Sequence, residues 1–98
     1  MNMDKELFRD LEEEIKPEMR KILDEMGIVG SCRIVYYQFA REAMRALLFE
    51  EDADREKLLK AIIAKHSYNY VDRETHLLTL EKIANLIIQK LQEKKLLL

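Results

Sequence analysis

Residues 32–48 read CRIVYYQFAREAMRALL, and this segment decides the fold. At about 100° per residue, its apolar side chains cover well over half of a helical wheel and leave one polar strip. A helix that is apolar over so wide an arc must be covered by neighbours on more than one side. We therefore expect the central helix of an all-α domain here, starting at a capping Ser31 and running to about Glu51.

The preceding segment predicts another long helix. From Asp4 to Met26 the apolar residues recur at helical spacing, with Asp4 as a capping residue and Gly27 as the stop. Pro17 lies inside this segment, yet the apolar stripe keeps its phase on both sides of it. We therefore predict one helix that is kinked at Pro17, the alternative being a break at Lys16.

Two further helices are predicted after the central one. Asp54 caps a short helix to about Lys65, and Asp72 caps a final helix from Arg73 to about Lys95. The short connection before the central helix is typical of antiparallel neighbours. The sequence thus predicts an antiparallel four-helix bundle with a Pro-kinked first helix and one short third helix, forming a single domain over residues 1–98.

Composition limits the class of protein. The chain has 98 residues, of which 37% are charged, and its two glycines and one proline are too few turn formers for an all-β fold. A formal charge of −2 gives no bulk attraction for nucleic acid, although the first 26 residues are acidic and residues 52–98 are basic. The lone cysteine forms no internal disulfide, and neither a membrane span nor a signal segment is evident. We therefore expect a cytoplasmic protein.

Few residues suggest chemistry. Cys32 falls in the middle of the apolar arc, so we expect a buried, unreactive thiol. His66 and His76 flank the third connection beside Asp72 and Glu74, but the ten-residue separation of the histidines matches no compact metal motif. No pair of titratable groups falls in an evident apolar pocket. We therefore expect no enzyme, no metal site and no cofactor.

The apolar surface exceeds what one small bundle can bury. Some of it lies on the final helix outside its main stripe, some in the connector before that helix, and some at the chain's last residues. These predicted partner-binding residues are Tyr68, Tyr70, Leu78, Leu86, Leu96 and Leu97. The hypothesis is a non-catalytic module for protein–protein interaction or assembly, either a homodimer or one subunit of a complex.

The alternative hypothesis is a nucleic-acid-binding regulator. The third and fourth helices can be interpreted as a helix-turn-helix whose second helix begins near the third connection. Glu74 and Glu81 would then face phosphates and repel them, so we prefer the interaction hypothesis. The basic residues of the alternative site are Arg55, Lys57, Lys60, Lys65 and Arg73.

Overall fold

The computed structural model describes residues 3–50, 54–66 and 71–96. These residues form a helical bundle without strands, which confirms the all-α prediction and the short third helix. A short 3₁₀ turn, Gly30–Arg33, precedes the second helix. The helices are α1 (Met3–Glu25), α2 (Ile34–Phe49), α3 (Arg55–Lys65) and α4 (Arg73–Glu93).

The first helix runs antiparallel to both of its neighbours. Phe8 near the start of α1 packs against Phe49 at the end of α2, with ring centroids 6.4 Å apart. Lys94, just beyond α4, forms an ion pair of 2.8 Å with Glu14 in the first half of α1. Since α1 opposes both helices, α2 and α4 run parallel to each other, as an up-and-down bundle requires.

The hydrophobic core is shared by all four helices. α2 and α4 form its centre, because each packs against the other and against both α1 and α3. The outer helices α1 and α3 make at most marginal contact, so they lie on opposite sides of the central pair. The prediction that the second helix is central is confirmed. The fully buried side chains of the hydrophobic core include Leu11, Ile15, Met19, Leu23, Tyr36, Phe39, Met44, Leu80, Ile83, Ile87 and Leu91.

α1 passes through Pro17 as one helix, Met3–Glu25, rather than breaking at Lys16. Pro17 is exposed, while Ile15 and Met19 on either side of it are buried. The apolar stripe therefore stays in register across the proline, as the sequence pattern indicated. The kink at Pro17 stays a prediction.

The start of α2 differs from the prediction. α2 begins at Ile34, because residues 30–33 form a 3₁₀ turn that has no side-chain cap. Ser31 is therefore not the capping residue, and that prediction is wrong. Gly30 has φ +60°, a backbone conformation that glycine adopts without strain. Gly27 has φ +72° just past the end of α1, which agrees with its predicted role as the helix stop.

An arginine stabilises this turn in place of the serine. The Nε–H of Arg33 donates to the carbonyl oxygen of Ile28 at 2.7 Å. A second guanidinium nitrogen of Arg33 pairs with the carboxylate of Asp24 in the last turn of α1. One long side chain thus ties the end of α1 to the start of α2.

Both later caps are confirmed. The carboxylate of Asp54 accepts a hydrogen bond of 2.9 Å from the backbone N–H of Lys57, and that of Asp72 accepts one of 3.0 Å from Thr75. Each bond satisfies a helix N–H that has no partner within the helix. α4 ends at Glu93, two residues before the predicted end. The backbone of Asp4 belongs to α1, but its side chain lies outside the described part of the chain.

Ion pairs between elements offset acidic charge of α1. α1 has nine acidic and five basic residues, a formal charge of −4. Four of its acids pair with basic residues of other elements, and these pairs cancel that excess. The pairs are Glu12 with Arg41, Glu14 with Lys94, Glu18 with Lys90, and Asp24 with Arg33.

Candidate partner-binding surface

The outer side of α4 carries the predicted strip. Leu78 is 44% exposed, and Leu86 is half-buried. Residues eight apart on a helix lie on one face, two turns from each other. The main stripe of α4, which includes Leu80, Ile83 and Ile87, is fully buried in the core. α4 therefore has apolar side chains on a second side, which the described elements cover only in part.

An open groove of about 390 Å³ lies between α1 and α4 beside this strip. Ile22 of α1 and Leu86 of α4 supply its apolar lining. Lys82 lies one turn beyond Leu78, so the groove continues the strip along the helix. We call Leu78, Leu86, Ile22 and the groove the α4 surface. Charged and amide side chains form its rim: Glu18, Lys21, Glu25, Lys82, Asn85 and Gln89.

The remaining predicted partner-binding residues do not all join this surface. Leu96 is 37% exposed and lies just beyond α4, where its N–H bonds to the carbonyl of Leu91 at 2.8 Å. Leu96 and Leu78 are therefore at opposite ends of α4, and the structure does not bring them together. Tyr68, Tyr70 and Leu97 lie outside the described residues.

Sequence analysis missed three exposed apolar side chains. Val29, Ile34 and Phe49 are all exposed. Ile34 and Phe49 share the polar side of α2 with Arg41 and Arg45, and that position on the helical wheel is the signal that would have found them. Val29 lies in the turn after α1, the end of the bundle where α4 begins.

A buried polar network joins α2, α4 and the end of α3. The carbonyl of His66 accepts a hydrogen bond of 2.8 Å from the Nε2–H of His76, which is 3% exposed. Because a carbonyl only accepts, Nε2 carries the proton in this contact, and in the tautomer with an unprotonated Nδ1 that nitrogen accepts from the hydroxyl of Tyr36 at 2.8 Å. The Nε2 of His66 in turn bonds to the carboxylate of Glu42.

The polar groups of this network are bonded to one another. Lys65 donates to Glu42 at 2.9 Å, and hydrogen bonds from Lys65 and His66 hold the pKa of Glu42 below its ordinary value. The ring of Phe39 packs edge-on against His66, with centroids 5.6 Å apart. Throughout the described chain, every buried side-chain nitrogen and oxygen has a hydrogen-bond partner. The arrangement links α2, the end of α3 and α4 through hydrogen bonds of both histidines.

Other chemical features are sparse in the part of the chain that the structure describes. Cys32 is half-buried rather than buried, because the 3₁₀ turn places it outside the regular arc of α2. No group of three or more His, Cys, Asp or Glu side chains among those residues is arranged to hold a metal ion. None of their helices combines the length with the hydropathy that crossing a membrane requires.

The basic residues of the alternative hypothesis are all exposed on α3 and at the start of α4. Two of the five are engaged by acids. Lys60 pairs with Glu56 at 3.4 Å, and Lys65 pairs with Glu42 at 2.9 Å. The structure therefore leaves all five exposed, and the charges of Lys60 and Lys65 are in part neutralised by these pairs.

Comparisons with protein-family models, with curated proteins and with solved structures find no match to this chain. No relative therefore supplies a binding residue or a partner by similarity. Inference about function depends on the geometry and charge of the described residues.

Proposed function

We propose that this protein is a non-catalytic module for protein–protein interaction, which assembles as a homodimer or as one subunit of a complex. The supporting observation is the exposed Leu78 on α4, a helix whose opposite stripe is fully buried. The side of a helix that faces away from the core ordinarily presents polar residues to water. Covering Leu78 with a partner removes apolar area from water and so favours association.

The α4 surface has the organisation of a binding site. Protein interfaces combine an apolar centre with a polar rim, and charges at the rim select the partner. Here Ile22 and Leu86 line the groove, while Lys21, Glu25 and Lys82 are among the charged residues around it. Both signs of charge are present, so the rim favours a partner that carries acidic and basic residues around an apolar side chain.

The non-catalytic part of the proposal is supported by the polar network. Tyr36, His66 and His76 have side chains suited to proton transfer, and each is bonded to another protein group. A general acid or base must reach the proton that it transfers, within hydrogen-bond distance of substrate. In the described structure these groups reach each other instead.

The test is sedimentation velocity of the purified protein at micromolar concentration and of the fluorescently labelled protein in lysate. We expect assembly that Leu78→Glu abolishes, because the variant places a charge in the apolar centre of the interface. Leu78 is exposed in the isolated bundle, so the variant should fold. Ile34→Glu is the matched control, because it makes the same change at an exposed apolar position on α2.

Two outcomes contradict the proposal. One is a strict monomer that sediments alone both in buffer and in lysate. The other is assembly that Leu78→Glu and Ile34→Glu affect equally, because the α4 surface would then have no special part in it.

A further inference from the structure

We propose that a second face of this bundle binds the phosphate backbone of single-stranded nucleic acid. The face is formed by α1 and α2, on the other side of α1 from the α4 surface. This proposal does not depend on the proposed protein–protein interaction. The face shares no residue with the basic residues of the alternative hypothesis on α3 and at the start of α4. Its exposed cations, which we call the cationic strip, are Arg9, Lys16 and Arg20 of α1 with Arg41 and Arg45 of α2.

Three of these cations form a row on α1. Arg9, Lys16 and Arg20 are separated by seven and four residues, so they fall within about 40° of each other on the helical wheel. Each of the three is exposed, on the side away from the buried Ile15. The row extends over about 16 Å at a rise of 1.5 Å per residue.

The two arginines of α2 lie beside this row. The Nε of Arg41 is 3.5 Å from a carboxylate oxygen of Glu12, and the guanidinium of Arg45 is 5.4 Å from the ring centroid of Phe8. Phe8 and Glu12 are one turn apart on α1, and Arg9 lies between them in the chain. These contacts fix Arg41 and Arg45 alongside the α1 row.

The strip keeps a positive charge despite nearby acids. Glu12 and Glu13 lie within it, and each is already paired, Glu12 with Arg41 and Glu13 with Lys16 at 3.3 Å. Within the strip, five cations oppose two carboxylates, on a chain whose formal charge is −2. Glu6 and Asp24 border the α1 row, and Glu42 and Glu50 line a groove with Arg45, so the positive charge is confined to the row itself. A row of Lys and Arg along one helix face is the electrostatic signature of nucleic-acid binding.

The residue types favour phosphate and an unpaired base. Four of the five cations are arginine, whose planar guanidinium forms paired hydrogen bonds to phosphate oxygens. At one end of the strip, Phe49 is exposed and packs against Phe8 with centroids 6.4 Å apart. An exposed aromatic ring beside cations offers a stacking surface for a base of a single strand.

A membrane surface is less suited to this strip. Helices that bind acidic lipid place a broad apolar face next to the basic one. The exposed side chains described for α1 are all charged, apart from Pro17. On α2 the exposed apolar side chains of this face are Ile34 and Phe49, which lie at opposite ends of the helix and form no continuous apolar face. The apolar face of α1 is used in the core and is not available to lipid.

The test measures fluorescence anisotropy of the full chain with labelled oligothymidylate and with a duplex of equal length, at salt between about 20 and 200 mM. About three neutralised phosphates give a slope near −2 for log affinity against log salt, at about −0.7 for each phosphate of a single strand. We expect Arg9→Ala with Arg20→Ala to weaken binding about tenfold and to flatten this slope. Arg55→Ala with Lys57→Ala is the matched control, since it removes two exposed charges from α3, and we expect no change.

A second variant tests stacking. Phe49→Leu keeps an apolar side chain but removes the ring, so we expect weaker binding of the single strand by about fivefold or more and unchanged binding of the duplex. Absence of salt-sensitive binding would overturn the proposal. Equal binding by wild type and the α1 variant, or loss confined to the α3 variant, would also overturn it. Preference for the duplex, or no effect of Phe49→Leu, would overturn the assignment to single strands.

Discussion

At the scale of single residues, the polar network shows what sequence can and cannot predict. The sequence indicated that the histidines are structural, because His66 continues an apolar face and no metal motif surrounds the pair. It gave no sign that Tyr36 bonds to His76, since the two residues are 40 positions apart and belong to different helices. Pairing at that distance depends on how helices are rotated against each other, which apolar spacing alone does not determine.

Tyr36→Phe tests the buried bond directly. The variant removes the hydroxyl that donates to Nδ1 of His76 and leaves that nitrogen buried without its donor. We expect a loss of about 1 to 3 kcal/mol in the free energy of unfolding. Tyr37→Phe, at a half-buried neighbour outside the network, should change it by less than about 0.5 kcal/mol. Urea denaturation followed by circular dichroism measures both, and equal effects would show that the bond contributes nothing.

Glu42 links stability to pH. Hydrogen bonds from Lys65 and His66 hold its pKa in the folded chain below its ordinary value of 4.5. A carboxyl of this kind contributes stability that is complete above the unfolded pKa and is lost as pH falls through the lower folded pKa. Between about pH 7 and pH 3, Glu42→Gln should therefore lose less stability than wild type does.

The control for this titration is Glu81→Gln, which changes an exposed glutamate outside the described ion pairs. It should keep the acid dependence of wild type. Thermal unfolding across this pH range separates the variants, and parallel curves for wild type and Glu42→Gln would refute the assignment.

At the scale of helices, the boundaries follow from spacing and caps, and the errors follow from non-local contacts. Asp54 and Asp72 cap the helices that the sequence assigned to them. Ser31 failed as a cap because Arg33 reaches back to α1 and stabilises a 3₁₀ turn instead. Charge summed along segments of the sequence does not indicate the cationic strip, because the strip depends on which acids of α1 are paired across the bundle.

Pro17 supplies a prediction for α1. A proline inside a helix costs about 3 kcal/mol relative to alanine, because it lacks a donor and crowds the preceding turn. Replacing Pro17 also increases the conformational entropy of the unfolded chain, which lowers the free energy of unfolding by up to about 1 kcal/mol. Because Pro17 is exposed, Pro17→Ala should raise the free energy of unfolding by about 1 to 2 kcal/mol. Lys16→Ala is the neighbouring control, and a destabilised Pro17→Ala would mean that the core requires the proline geometry.

At the scale of the whole molecule, the described core is continuous from α1 to α4. No helix has a separate set of buried residues, and α3 contributes little besides Leu59. If residues 1–98 form a single domain, as the sequence predicts, the protein should unfold in a single transition.

Ile83→Ala tests this cooperativity. Ile83 is fully buried on α4, so the variant should lose about 2 to 5 kcal/mol, a large part of the stability of a small domain. Hydrogen exchange should show amides of all four helices losing protection together. Leu78→Ala, at an exposed position on the same helix, should change stability by less than about 0.5 kcal/mol. Protection retained by α1 or α3 alone would indicate separate folding units.

The ion pairs that join α1 to its neighbours have a consequence for handling the protein. These pairs engage four acids of α1. The arginines of the cationic strip are exposed on the α1–α2 side. At neutral pH a chain with a pI near 5.7 migrates toward the anode. A protein binds to the phosphate groups of a phosphocellulose column through one side of its surface. The cationic strip should therefore cause this protein to be retained at low ionic strength, despite its negative net charge.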